Sequence, residues 1–152
     1  MSKSSDKVTF LHHTKGYNCA QSMLAVYGPR LGLPEEIALK VASAFGGGIA
    51  RSGQTCGLVT GALMAIGMTC DPADPSSKNE VCDLAKPFLE AFKAANGSLL
   101  CQDLLGESMA DPAGLAKLQA NNTTSIRCPQ LEKSAGAIFE RLYGDRLLPE
   151  EE

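Results

Sequence analysis

The sequence predicts an all-α protein, a single compact helical domain over residues 1–152 with about six to eight helices around a central apolar helix. Three observations lead there. Apolar residues recur at helical spacing in one segment after another, while strand-type alternation is absent. Capping residues, N-terminal prolines and terminal glycines mark the ends of these segments. A chain of 152 residues is one domain of ordinary size, and it contains no internal repeat, low-complexity block or convincing linker.

The elements follow in order. A first helix is expected over Asp6–Thr14, stopping near Gly16. A second runs from Asn18 to about Leu31. A third starts at Pro34, a favoured first helical residue, with Glu35 and Glu36 at the positive helix end, and stops at Gly46-Gly47-Gly48. A fourth runs from Thr55 to near Gly67 and is apolar on nearly every side, through Leu58, Val59, Ala62, Leu63, Met64, Ala65 and Ile66. A helix without a polar face is buried all round, so this one is expected at the centre as the most buried element, with Leu63 and Ile66 in the core. Its Gly57, Gly61 and Ala65 recur every four residues, a spacing that lets a second backbone approach closely.

After a Pro-rich loop from Asp71 to Ser77, Val81, Leu84, Ala85, Phe88, Leu89 and Phe92 form the apolar stripe of a fifth helix. Ser77-Lys78-Asn79-Glu80 reads as a capping box at its start and Asn96-Gly97 as its stop, with Pro87 a potential kink. A short sixth helix follows Ser98 and stops at Gly106. A seventh starts at Asp111-Pro112. Asn121 to Ser125 reads as a polar loop, and a last helix starts at Cys128-Pro129 with Leu131, Ala135, Ile138 and Leu142 along one side.

Hydrophobic residues make up 44% and charged residues 20% of the chain, and the net charge is −3 with no basic block. That composition argues against nucleic acid and anionic membranes as partners. The polar start, Met1 to Lys7, does not read as a signal peptide, and the longest apolar run, about Leu58 to Met68, is too short to span a bilayer. The expected setting is cytoplasmic and reducing, where structural disulfides are uncommon, so six cysteines need another explanation.

Four of the six fall at or near expected helix starts: Cys19 in the second helix, Cys56 in the fourth, Cys101 in the sixth and Cys128 in the last. Unpaired N–H groups and the helix dipole favour negative charge there, which eases ionisation of a thiol, and the thiolate is both nucleophile and metal ligand. Cys70, in a loop, and Cys82, beside the stripe of the fifth helix, read as packing or incidental thiols. No C-x-x-C, C-x-x-C-H or ferredoxin-type run is present, so any joint site must be assembled by the fold from separate helices. The glycines of Gly46 to Gly53 suit a loop folded tightly around Cys56 with N–H groups aimed at sulfur, or else a flexible connection. That segment lacks the Gly-Lys-Ser/Thr of a phosphate loop. His12 and His13 are adjacent on a helix and are expected to point apart, as solvated residues near its C-terminus rather than ligands of one ion.

Taken together, Gly16-Tyr17-Asn18-Cys19-Ala20-Gln21-Ser22, Phe45 to Gly48 followed by Cys56-Gly57-Leu58-Val59-Thr60-Gly61-Ala62, Asn96-Gly97-Ser98 to Cys101 with Leu104-Leu105-Gly106, and Cys128-Pro129 resemble the C-GCAxxG-C-C family of redox-active proteins. The likeness covers nearly the whole chain, with Leu58 standing where the family motif usually has alanine. It implies a redox role for Cys19, Cys56, Cys101 and Cys128. A related domain occurs in split-Soret-type cytochromes, which implies proximity to electron transfer.

Three readings stay open at this point. The four cysteines hold a cofactor, foremost an iron–sulfur cluster for electron transfer, as cofactor-binding and metal-ligating residues. Alternatively they are the catalytic thiols of a thiol–disulfide oxidoreductase or redox sensor. Or they hold structural zinc, or are buried as packing. A redox partner protein is expected in the first two cases. A homodimer is also expected, because the small-residue face of the fourth helix could pair with itself.

Overall fold

The computed structural model describes residues 3–71 and 73–150. It contains eight α-helices and no strand among these residues: α1 (Lys3–His13), α2 (Cys19–Tyr27), α3 (Glu35–Val41), α4 (Gly57–Gly67), α5 (Ser77–Asn96), α6 (Cys101–Leu105), α7 (Pro112–Ala120) and α8 (Thr123–Tyr143). Single 3-10 turns follow α2 and α8, at Pro29–Leu31 and Gly144–Arg146. Extended pairing is limited to one antiparallel bridge between Thr55 and Leu100. Among the described residues, no helix is long and apolar enough to cross a membrane.

The centre is a pair of helices, α2 against α4, rather than α4 alone. Seven of the nine residues of α2 are buried, against seven of the eleven in α4. α2 sinks so deeply because its polar side chains bond within reach. Ser22 Oγ donates to the Asn18 carbonyl at 2.8 Å, and Gln21 Nε2 donates to the Leu39 carbonyl at 2.9 Å. Buried polar groups satisfied in this way carry little penalty. The small-residue face of α4 lets the two backbones approach: a Cβ on Gly61 would lie 2.9 Å from both the Ala20 carbonyl oxygen and Met23 Cβ. That face is used inside the protomer, so it gives no motive for self-association.

Around this pair, α1 packs on α2 and α8, α3 on α2, and α5 on α4 and α8. Phe88, Phe92, Tyr27 and Phe139 fill the space between them, with the Tyr27 and Phe139 ring centroids 4.4 Å apart. Ile66 is fully buried, whereas Leu63 is only partly so. Ile66→Ala is therefore expected to lower the unfolding free energy by about 2–5 kcal/mol, with a smaller loss for Leu63→Ala, both measured by denaturant titration.

Several helix ends differ from expectation for identifiable reasons. α2 stops at Tyr27 because Pro29 cannot continue it. Its start is a full capping box: the Asn18 side chain accepts from the Gln21 N–H while Gln21 Oε1 accepts from the Asn18 N–H. The box expected at Ser77–Glu80 does not form. The Ser76 N–H is bound instead by the Asp74 carboxylate, at 2.9 Å, and α5 then runs through Pro87 without a break. α8 begins at Thr123, five residues before the expected start, so most of the expected polar loop is helical. Asn122, in the left-handed region with φ 51°, separates α7 from α8.

A candidate redox site built from four cysteines

Cys19, Cys56, Cys101 and Cys128 line one cavity of about 70 Å³, with Leu58, Leu104, Leu105, Met109 and Leu131 supplying apolar walls. Cys70, in the turn after α4, and Cys82, exposed on α5, do not line it. All six cysteines are free thiols.

Three of the four stand at helix starts as expected: Cys19 is the first residue of α2, Cys56 caps α4 and Cys101 is the first residue of α6. Cys128 does not. It lies in the second turn of α8, because Pro129 is tolerated inside that helix rather than opening it. The fold still brings Cys128 to the same cavity, from the side of a helix instead of its end.

The glycine segment wraps the site. Gly47 to Arg51 are five consecutive residues with positive φ (65°, 72°, 67°, 49° and 58°), and Ile49, Ala50 and Arg51 among them are not glycine. Long backbone bonds hold this left-handed turn, including Ala50 N–H to the Ala44 carbonyl at 2.7 Å and Gln54 N–H to the Gly48 carbonyl at 2.9 Å. Two of its glycines are required by close approach. A Cβ on Gly48 would lie 2.6 Å from Cys101 Cβ, and one on Gly46 would lie 2.5 Å from Asn18 Cβ. Across the cavity, a Cβ on Gly57 would lie 2.3 Å from Cys19 Sγ. Beyond the turn, Cys56 N–H donates to the Leu99 carbonyl (2.8 Å) and Cys101 N–H to the Gln54 carbonyl (2.7 Å), which stitches the starts of α4 and α6 together.

Burial decides the electrostatics. It pushes the Cys19 thiol above its ordinary value despite N–H groups of Gly47, Ala20 and Gly57 directed at the sulfur. Burial, then repulsion from Cys19, pushes Cys101 up to about 11. Cys56 and Cys128 are also raised well above their ordinary value, by burial and by the other thiols of the set, and Cys128 also by Glu132. The helix-start expectation of lowered thiol pKa values is therefore corrected. The N–H groups act in the expected direction, but desolvation and mutual repulsion outweigh them.

The cysteine cavity lies beneath a wider cleft of about 570 Å³, and His12, Asn18, Gly47, Met109 and Thr124 belong to the walls of both. His12 and His13 do not point apart. His12 Nδ1 and His13 Nε2 both contact Glu132 Oε1, the latter at 3.0 Å. The near ring nitrogen of one residue and the far nitrogen of the next offset their angular separation on α1. Glu132, fully buried, had no signal in the sequence reading except its place one turn after Cys128, which puts both side chains on one face of α8.

A model of the family described as "Putative redox-active protein (C_GCAxxG_C_C)" matches residues 17–142, a span that holds all four cavity cysteines. No curated protein and no solved structure matches the chain.

Proposed function

Because the chain belongs to the C_GCAxxG_C_C family of redox-active proteins, we propose that Cys19, Cys56, Cys101 and Cys128 together hold an iron–sulfur cluster that carries electrons. The observation that carries this reading is the convergence of four separate helices' thiols on one buried cavity. Four cysteines suffice for either a [2Fe–2S] or a [4Fe–4S] cluster. Two buried and two half-buried thiols whose ionised forms are disfavoured by desolvation and by one another are stabilised as thiolates by a positive centre, and binding there releases their protons.

The spacing favours a cluster over a single zinc ion. Four thiolates at about 2.3 Å from one tetrahedral ion lie roughly 3.8 Å from each other. Among the described residues, no three of the cysteine sulfurs lie within 4.8 Å of one another. A cluster attaches its thiolates to different iron atoms and accepts a wider set.

The bound group would supply one-electron chemistry. The chain's own residues set its surroundings. Gly47, Ala20 and Gly57 direct N–H groups at the Cys19 sulfur, and Leu58, Leu104, Leu105 and Leu131 exclude water. Hydrogen bonds to sulfur and solvent exposure are among the factors that fix a cluster's potential. A redox partner protein would approach across the cleft, where His12, Gly47 and Met109 separate the cavity from the outside. A reducing, cytoplasmic setting fits six unpaired thiols.

Anaerobic reconstitution with iron and sulfide tests the assignment. The expected product is coloured, contains iron and sulfide in fixed ratio to protein, and bleaches on reduction. A colourless, iron-free product would sink the cluster. A fall of two or four in the thiol count on mild oxidation of that product would then point to a thiol–disulfide oxidoreductase or redox sensor.

A further inference from the structure

The contact between α1 and α8 beside the cysteine cavity holds a second donor set that the cysteine chemistry does not use. One donor atom from each of His12, His13 and Glu132 lies within 4.8 Å of the other two, and this is the one such group of histidine, cysteine or carboxylate residues among those described. Two ligand atoms each about 2.1 Å from a common ion lie no more than roughly 4.2 Å apart, so the set is close to assembled. Its carboxylate is fully buried, unlike the exposed acidic clusters common on protein surfaces. Glu132 Oε2 makes no hydrogen bond of ordinary geometry; the Thr9 hydroxyl is the nearby donor that eases its charge. A buried carboxylate is favoured by a cation beside it, and the candidates are a protonated imidazole or a metal ion.

We propose that His12, His13 and Glu132 form a binding site for a divalent first-row metal ion, with Zn²⁺ as the best match. Two imidazole nitrogens and one carboxylate oxygen are a recurrent three-residue ligand set for zinc, with the fourth position left to water. The same set in a facial arrangement suits Fe²⁺. The cation would neutralise the buried carboxylate in place of a proton on either imidazole. His12 opens onto the 570 Å³ cleft, which gives the ion a route in from solvent. His12 also lines the cysteine cavity, and Glu132 follows Cys128 by one helical turn. A cation here would sit at the edge of the cysteine site without sharing its ligands.

The proposal stands apart from the cluster reading and is tested separately. The full chain is equilibrated with Zn²⁺ alone, excess ion is removed, and bound zinc is counted and examined by X-ray absorption. The same is done for His13→Ala, whose side chain is partly exposed, and for Cys101→Ser. The expected result is one zinc per chain with nitrogen and oxygen neighbours. It should be retained in Cys101→Ser and bound about 10-fold or more weakly in His13→Ala. Circular dichroism of His13→Ala should match that of the unchanged protein. Zinc bound only through sulfur, no bound zinc, or nitrogen–oxygen zinc unaffected by His13→Ala each overturns the site. The first and second outcomes are read on the unchanged chain, so they do not depend on a variant folding.

Discussion

Replacing any one of Cys19, Cys56, Cys101 or Cys128 with serine is expected to reduce reconstituted iron from full occupancy to near zero and to remove the visible absorption. Each thiol lines the same cavity, and serine's hydroxyl is too weakly acidic to take the place of a thiolate. Cys70→Ser and Cys82→Ser are expected to leave iron content and spectrum unchanged, because neither residue reaches the cavity. Iron, sulfide and absorbance should be measured on all six variants after checking that each melts as one cooperative transition. A variant of the four that keeps its full spectrum would remove that residue from the ligand set. Four such variants would leave the cysteines as packing.

Gly57→Ala is expected to be strongly damaging for a single added methyl group. The glycine sits in ordinary helical conformation, where alanine is normally favoured by roughly 0.5–1 kcal/mol. Here the added carbon would lie 2.3 Å from Cys19 Sγ and 2.8 Å from the Ala20 amide nitrogen, and the latter is backbone that cannot swing aside. Overpacking of this kind typically costs about 1–3 kcal/mol, so steric conflict wins over propensity. The same shift displaces Cys19, so iron incorporation should fall sharply along with stability. Gly67→Ala is the matched control, at the other end of α4, where an added carbon meets nothing within 4 Å. Chemical denaturation and iron content together check both. Equal behaviour of the two variants would show that α2 and α4 can separate at no cost.

The sequence carried the helices and the four cysteines, but not every boundary. The eight helices, the Gly97 stop of α5 and the Asp111-Pro112 start of α7 are local signals, and they appear as read. The start of α8 was misread because proline is a strong marker of a first helical turn. Pro129 lies instead in the interior, where it cannot donate to the Ser125 carbonyl and must be tolerated through packing of α8 on α1 and α5. Glu132 was missed for a different reason. Its place one turn after Cys128 was legible, but its partners His12 and His13 lie 120 and 119 residues away. The depth of α2 was obscured by Gln21 and Ser22, whose polar side chains look solvent-facing until their bonds to nearby backbone are known. Raised thiol pKa values could not be foreseen from helix starts alone, since burial and the company of three other thiols are tertiary facts.

The left-handed turn at Gly47 to Arg51 has a consequence for how anything enters the cavity. Ile49, Ala50 and Arg51 each hold a backbone conformation that costs on the order of 1–3 kcal/mol, and it persists only while neighbours hold it. Those neighbours are tied to the same place: Gln102 N–H donates to the Gly53 carbonyl, Cys101 N–H to Gln54 and Cys56 N–H to Leu99. Release of the turn therefore loosens the starts of α4 and α6 together, as one subglobal opening, while the α2–α4 pair and the aromatic core stay folded. Cys56 and Cys101, the two buried thiols of the set, are then expected to become accessible together. Uptake of a cofactor by the cavity, as proposed, would then be expected to follow the free energy of that partial opening.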